Sequence, residues 1–315
     1  MEIQFLGTSA ATPARNRNLT ALALRPDQHK DWYLFDCGEA TQHQIMKSQF
    51  SLAKLSKIFI SHLHGDHWYG LPGLLNTRSL YGMSEPLQIY GPQGIEEALR
   101  TILRFSGANP SFPIDFIEIT ESGLVYENDS ETISARALSH DLPCYAYIFE
   151  ECERLGEIDA EALKRDGLQP GPLYGDLKAG KTVESDGKTY NPSDYMGATQ
   201  KGAKVIVSGD NDSPDLLADD VTDLTLLIHE ATHTEESMAK LDYQSRHSTA
   251  AKVSSFAEEA NIPALILTHI SPRFETDAEI IAEAKKHYSG NLHVAADFMR
   301  LTISKNVLTI HQSEL

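Results

Sequence analysis

Ser61-His62-Leu63-His64-Gly65-Asp66-His67 follows directly on the apolar run Ile58-Phe59-Ile60 and crowds four potential metal ligands into a single strand-to-helix turn. Any fold open to this chain must bury that strand and still leave the turn open to further donors. One zinc ion takes only three or four nitrogen, sulfur or oxygen donors, so four from one short loop, with others elsewhere, point to two ions sharing a site.

Three other segments deliver donors in the same manner. Thr132 to Leu138 alternates with period two and leads to His140, while the apolar runs Val205-Ile206-Val207 and Leu265-Ile266-Leu267 lead to Asp210 and His269. A single histidine after a strand is more often a surface residue. Strands of one sheet end along a common edge, however, so four strands each ending in a donor form a set. Imidazoles and carboxylates without thiolates suit zinc, whereas a carboxylate-rich iron redox site would put an acid at position 64. Manganese and iron(II) are the alternatives, because ligand type restricts the metal less than it restricts geometry.

The rest of the chain alternates strands with helices. Strands are expected at Ile3 to Leu6, Ala21 to Leu24, Trp32 to Phe35, Leu87 to Tyr90, Ile114 to Ile119, Tyr145 to Phe149, Lys204 to Ser208 and Leu224 to Ile228, besides those already named. Helices are expected at Glu39 to Gln49, at His67 to Leu80 with Pro72 near its start, and at Gln93 to Phe105, Thr249 to Ala260 and Asp277 to His287. Periodicity fades between Glu150 and Gln200, where Gly167, Pro170, Gly171, Pro172, Gly175, Gly180, Gly187 and Pro192 punctuate the chain. The expected division is therefore a core domain in two halves, 1–150 and 201–315, with an inserted arm at 151–200.

At 315 residues and 41% hydrophobic, the chain can bury one substantial α/β core plus an insertion. Cys37, Cys144 and Cys152 show no CxxC pairing and read as buried or incidental thiols. The start Met1-Glu2-Ile3-Gln4 lacks a basic stretch followed by an apolar one, no run approaches membrane-spanning length, and the cytoplasm is the expected compartment. His43 and His287 fall in helical patterns and read as surface residues.

The net charge of −18 runs against nucleic-acid binding, which usually uses a basic face. Only a local path, from Arg15, Arg17, Lys178, Lys181, Lys188, Lys201 and Lys204 together with two bound cations, would offset it.

The histidine turn resembles the signature of metallo-β-lactamase superfamily hydrolases. Within that superfamily the chain is similar to the tRNase Z family: Pro13-Ala14-Arg15-Asn16-Arg17-Asn18 resembles its PxKxRN loop, and Phe35-Asp36-Cys37-Gly38-Glu39 its second-strand signature. His229-Glu230-Ala231-Thr232 resembles its HEAT motif and His247-Ser248-Thr249 its HST motif. The resemblance covers essentially the whole chain, including Gly171-Pro172-Leu173-Tyr174 and the stretch to Lys181, which resembles the family's tRNA-gripping arm.

The resemblance implies an αββα sandwich with an inserted flexible arm, and a zinc-dependent endoribonuclease that removes the 3′ trailer from precursor tRNA. It implies one zinc on His62, His64 and His140, another on Asp66, His67 and His269, and Asp210 bridging. Asp66 is expected to accept the proton of the attacking water as well, and His247, oriented by Glu230, to protonate the leaving oxygen. His229 then lies outside the ligand set, orienting His247 or a ligand. Arg15, Arg17 and Asn18 are expected at the substrate, with Gly171, Pro172, Lys178 and Lys181 in the arm. A homodimer in which one subunit's arm serves the other's site completes the expectation.

Two departures stand out: Arg15 replaces the usual lysine, and Asn211-Asp212 replaces a Thr-Arg pair, putting negative charge where RNA is expected to approach. The alternative on the same scaffold is a small-molecule phosphodiesterase, sulfatase or lactonase. An RNA-binding regulator with a purely structural metal pair fits less well, since structural zinc sites are normally closed by four protein ligands.

Overall fold

The computed structural model describes residues 1–153 and 156–311. The first half of the chain builds one mixed sheet. Strands β1 (Glu2–Gly7), β2 (Ala21–Arg25) and β3 (Trp32–Phe35) run antiparallel, and β4 (Leu55–Phe59), β5 (Leu87–Pro92) and β6 (Ile114–Ile119) extend it in parallel. The connections hold α1 (Thr41–Lys47), α2 (Gly65–Trp68), α3 (Leu71–Leu80) and α4 (Ile95–Ser106).

A second sheet begins with the antiparallel run β7 (Gly123–Glu127), β8 (Glu131–Leu138) and β9 (Cys144–Glu151). The insertion follows, with α5 (Ala160–Arg165), α6 (Pro172–Lys178), the hairpin β10 (Val183–Ser185) and β11 (Lys188–Tyr190), and α7 (Pro192–Tyr195). The chain then returns as β12 (Lys204–Val207), β13 (Leu226–Glu230), α8 (Glu235–Ala239), α9 (Ala250–Glu259), β14 (Ala264–Thr268), α10 (Ala278–Ala284) and β15 (Asn291–Val294), the four strands all parallel. Finally β16 (Arg300–Ser304) and β17 (Val307–His311) cross back to the β1 edge of the first sheet.

Strand side chains alternate between faces, and here both faces are covered, which is why the central strands are nearly continuous apolar runs. Phe5 and Phe59 point into the layer between the sheets, where they meet Ile228 and Ile266. Leu6, Ile58 and Ile60 point the other way, with Leu71, Leu74 and Leu99 of α3 and α4. Leu227, Leu265 and Leu267 do the same beneath Val253 and Phe256 of α9. Three apolar layers thus stack helix, sheet, sheet and helix, the expected αββα sandwich.

Two differences from the sequence reading have local causes. The expected helix from His67 to Leu80 is two helices, because Gly70 turns in against the β3 loop, its amide donating to the Cys37 carbonyl at 2.9 Å, and Pro72 opens the second. Strands β7, β15, β16 and β17 escaped the apolar pattern; they lie at or next to sheet edges, and β7 and β17 hold only exposed and half-buried residues. The insertion lacks long periodicity but still has a core, with Leu163, Leu168, Leu177, Val183, Tyr190 and Tyr195 packed together. An isolated bridge pairs Ile158 with Met196 at its base.

Candidate metal centre

Parallel strands end at one edge, and β8 shares their direction because it is antiparallel to β9, which is antiparallel to β12. The loops after β8, β12, β13 and β14 therefore open together, and β4, which lies in the first sheet rather than in one sheet with the others as the sequence reading supposed, brings His62 to the same place, 3.6 Å from Asp210 Oδ2. Gly209 lets the β12 loop come in close: a Cβ there would lie 2.7 Å from Cys144 Sγ and from Ser61 Cβ. His269 holds φ at 55°, a conformation costly for a residue with a Cβ and persistent only where the surroundings enforce it.

The donors form two groups. In the first, His64 Nδ1 lies 3.0 Å from both His62 Nε2 and His140 Nε2. Asp210 Oδ2 is 3.6 Å from His62 Nε2 and 3.8 Å from His140 Nε2. In the second, His269 Nε2 lies 3.3 Å from both His67 Nε2 and Asp66 Oδ2, and Asp66 Oδ2 is 3.5 Å from His67 Nε2. The Asp210 carboxylate faces this group too, at 3.5 Å from His67 and 3.6 Å from His269.

Tetrahedral zinc with bonds near 2.0–2.1 Å sets its ligands roughly 3.3 Å apart, so these separations are those of a coordination shell. The opposite nitrogens are occupied by protein, as ligating imidazoles require. His67 Nδ1 bonds Asp36 Oδ2 at 2.7 Å, His269 Nδ1 bonds Thr232 Oγ1 at 2.9 Å, and His140 Nδ1 donates to the Arg246 carbonyl at 3.0 Å. His62 Nδ1 meets the Ser61 hydroxyl at 3.0 Å. The residues present thus fit a pair of divalent cations.

Electrostatics agree. Burial, reinforced by neighbouring imidazoles, lowers the pKa of His62 and His64 and keeps them neutral. Burial works against ionised Asp66 and Asp210, yet the surrounding imidazoles outweigh it and hold both below the usual carboxylate range. Neutral imidazoles beside ionised carboxylates are the donor state that metal binding demands, and His67 departs from it: burial lowers its pKa, but Asp210 and Asp36 outweigh burial and hold it well above the usual histidine range, so a cation must displace its proton.

Glu230, at the end of β13, is buried and saturated. Its Oε1 accepts from the amides of Asn211 (3.1 Å) and Ser248 (2.9 Å), and its Oε2 from the Thr232 amide (3.0 Å) and hydroxyl (2.7 Å). Oε1 also meets His247 Nδ1 at 3.2 Å; among the described residues nothing bonds that ring's Nε2, and the side chain is 23% exposed. Burial opposes the charged form of His247, but Glu230 prevails, with Asp210 adding, and the pKa stands at about 9. For Glu230, burial raises the pKa and His247 overrides it, bringing it to about 2. A small cavity of about 300 Å³, lined by Asp212, Ser213, Ser245 and Lys252, opens beside His247.

The seven expected ligands and the His247–Glu230 pair thus meet at one edge, but other expectations need correction. Arg17 does not face substrate: it is 8% exposed and its guanidinium bonds Thr8 Oγ1 (2.6 Å), the Ala295 carbonyl (2.6 Å) and Asp277 (2.5 Å). Asn18 is half-buried and spends its amide on the Glu39 carbonyl at 3.0 Å. Arg15 is exposed. Among the described residues His229 has no hydrogen bond to His247 or to a ligand; it bonds the Glu230 carbonyl and meets the Asn211 amide group at 3.3 Å. Asn211 itself is fully buried, so it has no direct contact to offer RNA, and only Asp212 reaches the surface there.

In the arm, Gly171, Pro172, Lys178 and Lys181 are all exposed, far along the chain from the donor loops. The imagined basic path is broken. Lys181, Lys188 and Lys201 pair with Asp176, Asp166 and Asp223, and Lys201 and Lys204 stand at the end of β12 opposite Asp210.

Sequence reasoning gave no role to Asp36, Ser61 or Thr232. Asp36 Oδ1 accepts from the Ser61 amide at 2.7 Å while its Oδ2 holds His67, and Thr232 links Glu230 to His269. Their signal was membership of segments already quoted: Asp36 in the second-strand signature, Thr232 in the HEAT motif and Ser61 at the head of the histidine turn.

Two packed sheets between helical layers, with a histidine and aspartate centre at their shared edge, define a metallo-β-lactamase-fold protein. The metallo-beta-lactamase fold protein YhfI from Bacillus subtilis aligns with TM-score 0.65 at 20% identity, over 95% of this chain and 98% of that one. Ribonuclease Z from Marinobacter nauticus is 40% identical over 314 residues, 97% of each chain, and ribonuclease Z from Lactiplantibacillus plantarum is 42% identical over 302 residues, 95% of this chain and 96% of the other. The crystal structure of human tRNase Z, short form, aligns with TM-score 0.69 at 28% identity, covering 96% of this chain and all of that one. A family model described as anti-Pycsar protein Apyc1 matches residues 1–113. The chain belongs to the ribonuclease Z family. Among the described residues no helix is long and apolar enough to cross a membrane.

Proposed function

We propose that this protein is a zinc-dependent endoribonuclease that removes the 3′ trailer from precursor tRNA. The observation that carries the reading is the pair of donor groups joined at Asp210, with the His247–Glu230 pair against them, in a chain of this family. His62, His64 and His140 would hold one ion and Asp66, His67 and His269 the other, with the Asp210 carboxylate facing both groups. Zinc suits the donor set, with Mn²⁺ or Fe²⁺ the alternatives. When bound, such a pair supplies a nucleophile from water near neutral pH and offsets charge on the phosphoryl oxygens.

The chain's own groups do the rest. Asp66 takes the proton of the attacking water, and Asp36 and Thr232 fix the orientation of His67 and His269. His247, charged beside Glu230, gives its proton through Nε2 to the departing 3′ oxygen of the tRNA. Water as nucleophile leaves a 3′-hydroxyl on the tRNA and a 5′-phosphate on the trailer. Arg15 contacts the acceptor end, and Gly171, Pro172, Lys178 and Lys181 of the arm bind the tRNA body in a homodimer, the arm of one subunit serving the other.

The test is a precursor tRNA with a 3′ trailer, incubated with and without chelator. Chelator-sensitive cleavage beside the discriminator nucleotide, with those ends, supports the reading. Cyclic 2′,3′-phosphate ends, or activity on small esters alone, overturn it, and a purely monomeric mass in solution overturns the dimer.

A further inference from the structure

The segment between β1 and β2 folds back over the centre, and its tip touches a ligand: the Ala11 amide donates to Asp66 Oδ2 at 2.8 Å. That is the same oxygen that lies 3.3 Å from His269 Nε2. Ala11 holds φ at 57°, which an alanine adopts only under constraint. Part of the constraint is local, since the Ser9 hydroxyl donates to the Thr12 carbonyl at 2.7 Å and the Ala10 amide to the Ile270 carbonyl at 3.1 Å.

Arg17 adds its bonds to Thr8, Ala295 and Asp277, and three further bonds converge on one carboxylate from the far end of the chain. Asp297 Oδ1 accepts from the Thr8 hydroxyl at 2.8 Å. Its Oδ2 accepts from the Asn18 amide at 2.7 Å and from Gln44 Nε2 at 3.0 Å. Thr8 and Asn18 are the two ends of the loop, and the Asn18 carbonyl closes it by accepting from the amides of Thr8 and Ser9, both at 2.9 Å.

We propose that Asp297 is a positioning residue of the centre: by pinning both ends of the 8–18 loop it holds the Ala11 amide on Asp66 and so fixes the orientation of that carboxylate. The proposal rests on the hydrolase reading for its kinetic consequence and on geometry alone for the anchoring. A backbone donor on an ionised oxygen is a charge-assisted bond, and its loss from Asp66 corresponds to about a tenfold fall in rate.

The test uses full-length, zinc-loaded protein with bis(p-nitrophenyl) phosphate as substrate, alongside hydrogen–deuterium exchange of the peptide spanning residues 8–19. Asp297→Ala is expected to lower kcat about tenfold, leave KM within about twofold, and speed exchange in that peptide. Asp297→Asn, which keeps an acceptor for the Asn18 amide, recovers the larger share of kcat. Should Asp297→Ala fail to fold, Gln44→Leu removes one of the three bonds and is expected to show the same pattern at about threefold. An unchanged kcat, or a lowered one with exchange in the 8–19 peptide unaltered, overturns the proposal. A parent protein that protects this peptide yet cleaves no phosphodiester overturns the hydrolase reading, while faster exchange in Asp297→Ala then still supports the anchoring.

Discussion

Replacing Arg17 by alanine separates a structural arginine from a substrate-binding one within a single motif. Its guanidinium is 8% exposed and bonds two neutral oxygens besides the Asp277 carboxylate, which is 30% exposed. Breaking a buried ion pair from one side costs about 3–5 kcal/mol, mostly from the group left behind. Asp277 can recover part of its hydration through its exposed edge, so the lower end applies, and about 3 kcal/mol is expected. With a urea slope of about 3 kcal/mol per molar or somewhat more for a chain of this size, the unfolding midpoint should fall by roughly 1 M or a little less.

Arg17→Lys keeps the charge but reaches fewer of the three acceptors, and is expected to lose about half as much. Arg15→Ala, at an exposed position, should move stability by less than about 0.5 kcal/mol and instead raise KM for precursor tRNA. Urea denaturation of the three variants beside the parent, with KM measured for each, is the assay. If Arg17→Ala kept the parental midpoint and raised KM as Arg15→Ala does, the assignment of Arg17 to the interior would fail.

Other predictions follow from the same geometry. Asp66→Ala or removal of metal by chelator should abolish hydrolysis of both precursor tRNA and small phosphodiesters, and zinc should restore only the stripped parent. His247→Ala is expected to reduce turnover by about 10²–10⁴ with metal content unchanged, and an effect no larger than that of a distant surface change would remove His247 from the mechanism. In metal-free protein the His247 imidazole, with a folded pKa of about 9 against 6.5 ordinarily, stabilises the fold fully below pH 6.5 and loses that contribution as pH rises through 9. Glu230→Gln should lower that midpoint, which an NMR titration of the imidazole reads directly. Deleting residues 159–195 and joining Ile158 to Met196 through a short linker should weaken precursor tRNA binding and spare small-diester hydrolysis. A cut confined to 167–187 is the worse design, because it removes Leu168, Leu177 and Val183 and leaves the rest of the arm's core exposed.

The donor loops were legible in the chain because a buried parallel strand is an unmistakable apolar run and its ligand stands directly after it, as Ile58 to Ile60 precede His62 and Leu265 to Leu267 precede His269. The outer strands β7, β15, β16 and β17 were not: β7, β15 and β17 contain no buried residue, and β16 buries only Leu301 and Ile303 between polar neighbours, too short a pattern to stand out. Motif membership also misled at Arg17 and Asn18: the resemblance of their loop suggested contact with substrate, but residue type carries no information about which way a side chain turns.

Short-range pattern thus determined an α/β chain with an insertion, the ligand types and the loops that carry them, because periodicity and turn chemistry act over a few residues, while the αββα layering came from the family resemblance. Tertiary structure alone decided that Arg17 and Asn211 lie inside, that Asp36 and Thr232 orient ligands, and that Asp297 holds the two ends of a loop 279 and 289 residues away in sequence. Those outcomes depend on which distant oxygen and nitrogen atoms come within about 3 Å, and hydrogen bonds of that reach exist only once the two sheets have closed on each other.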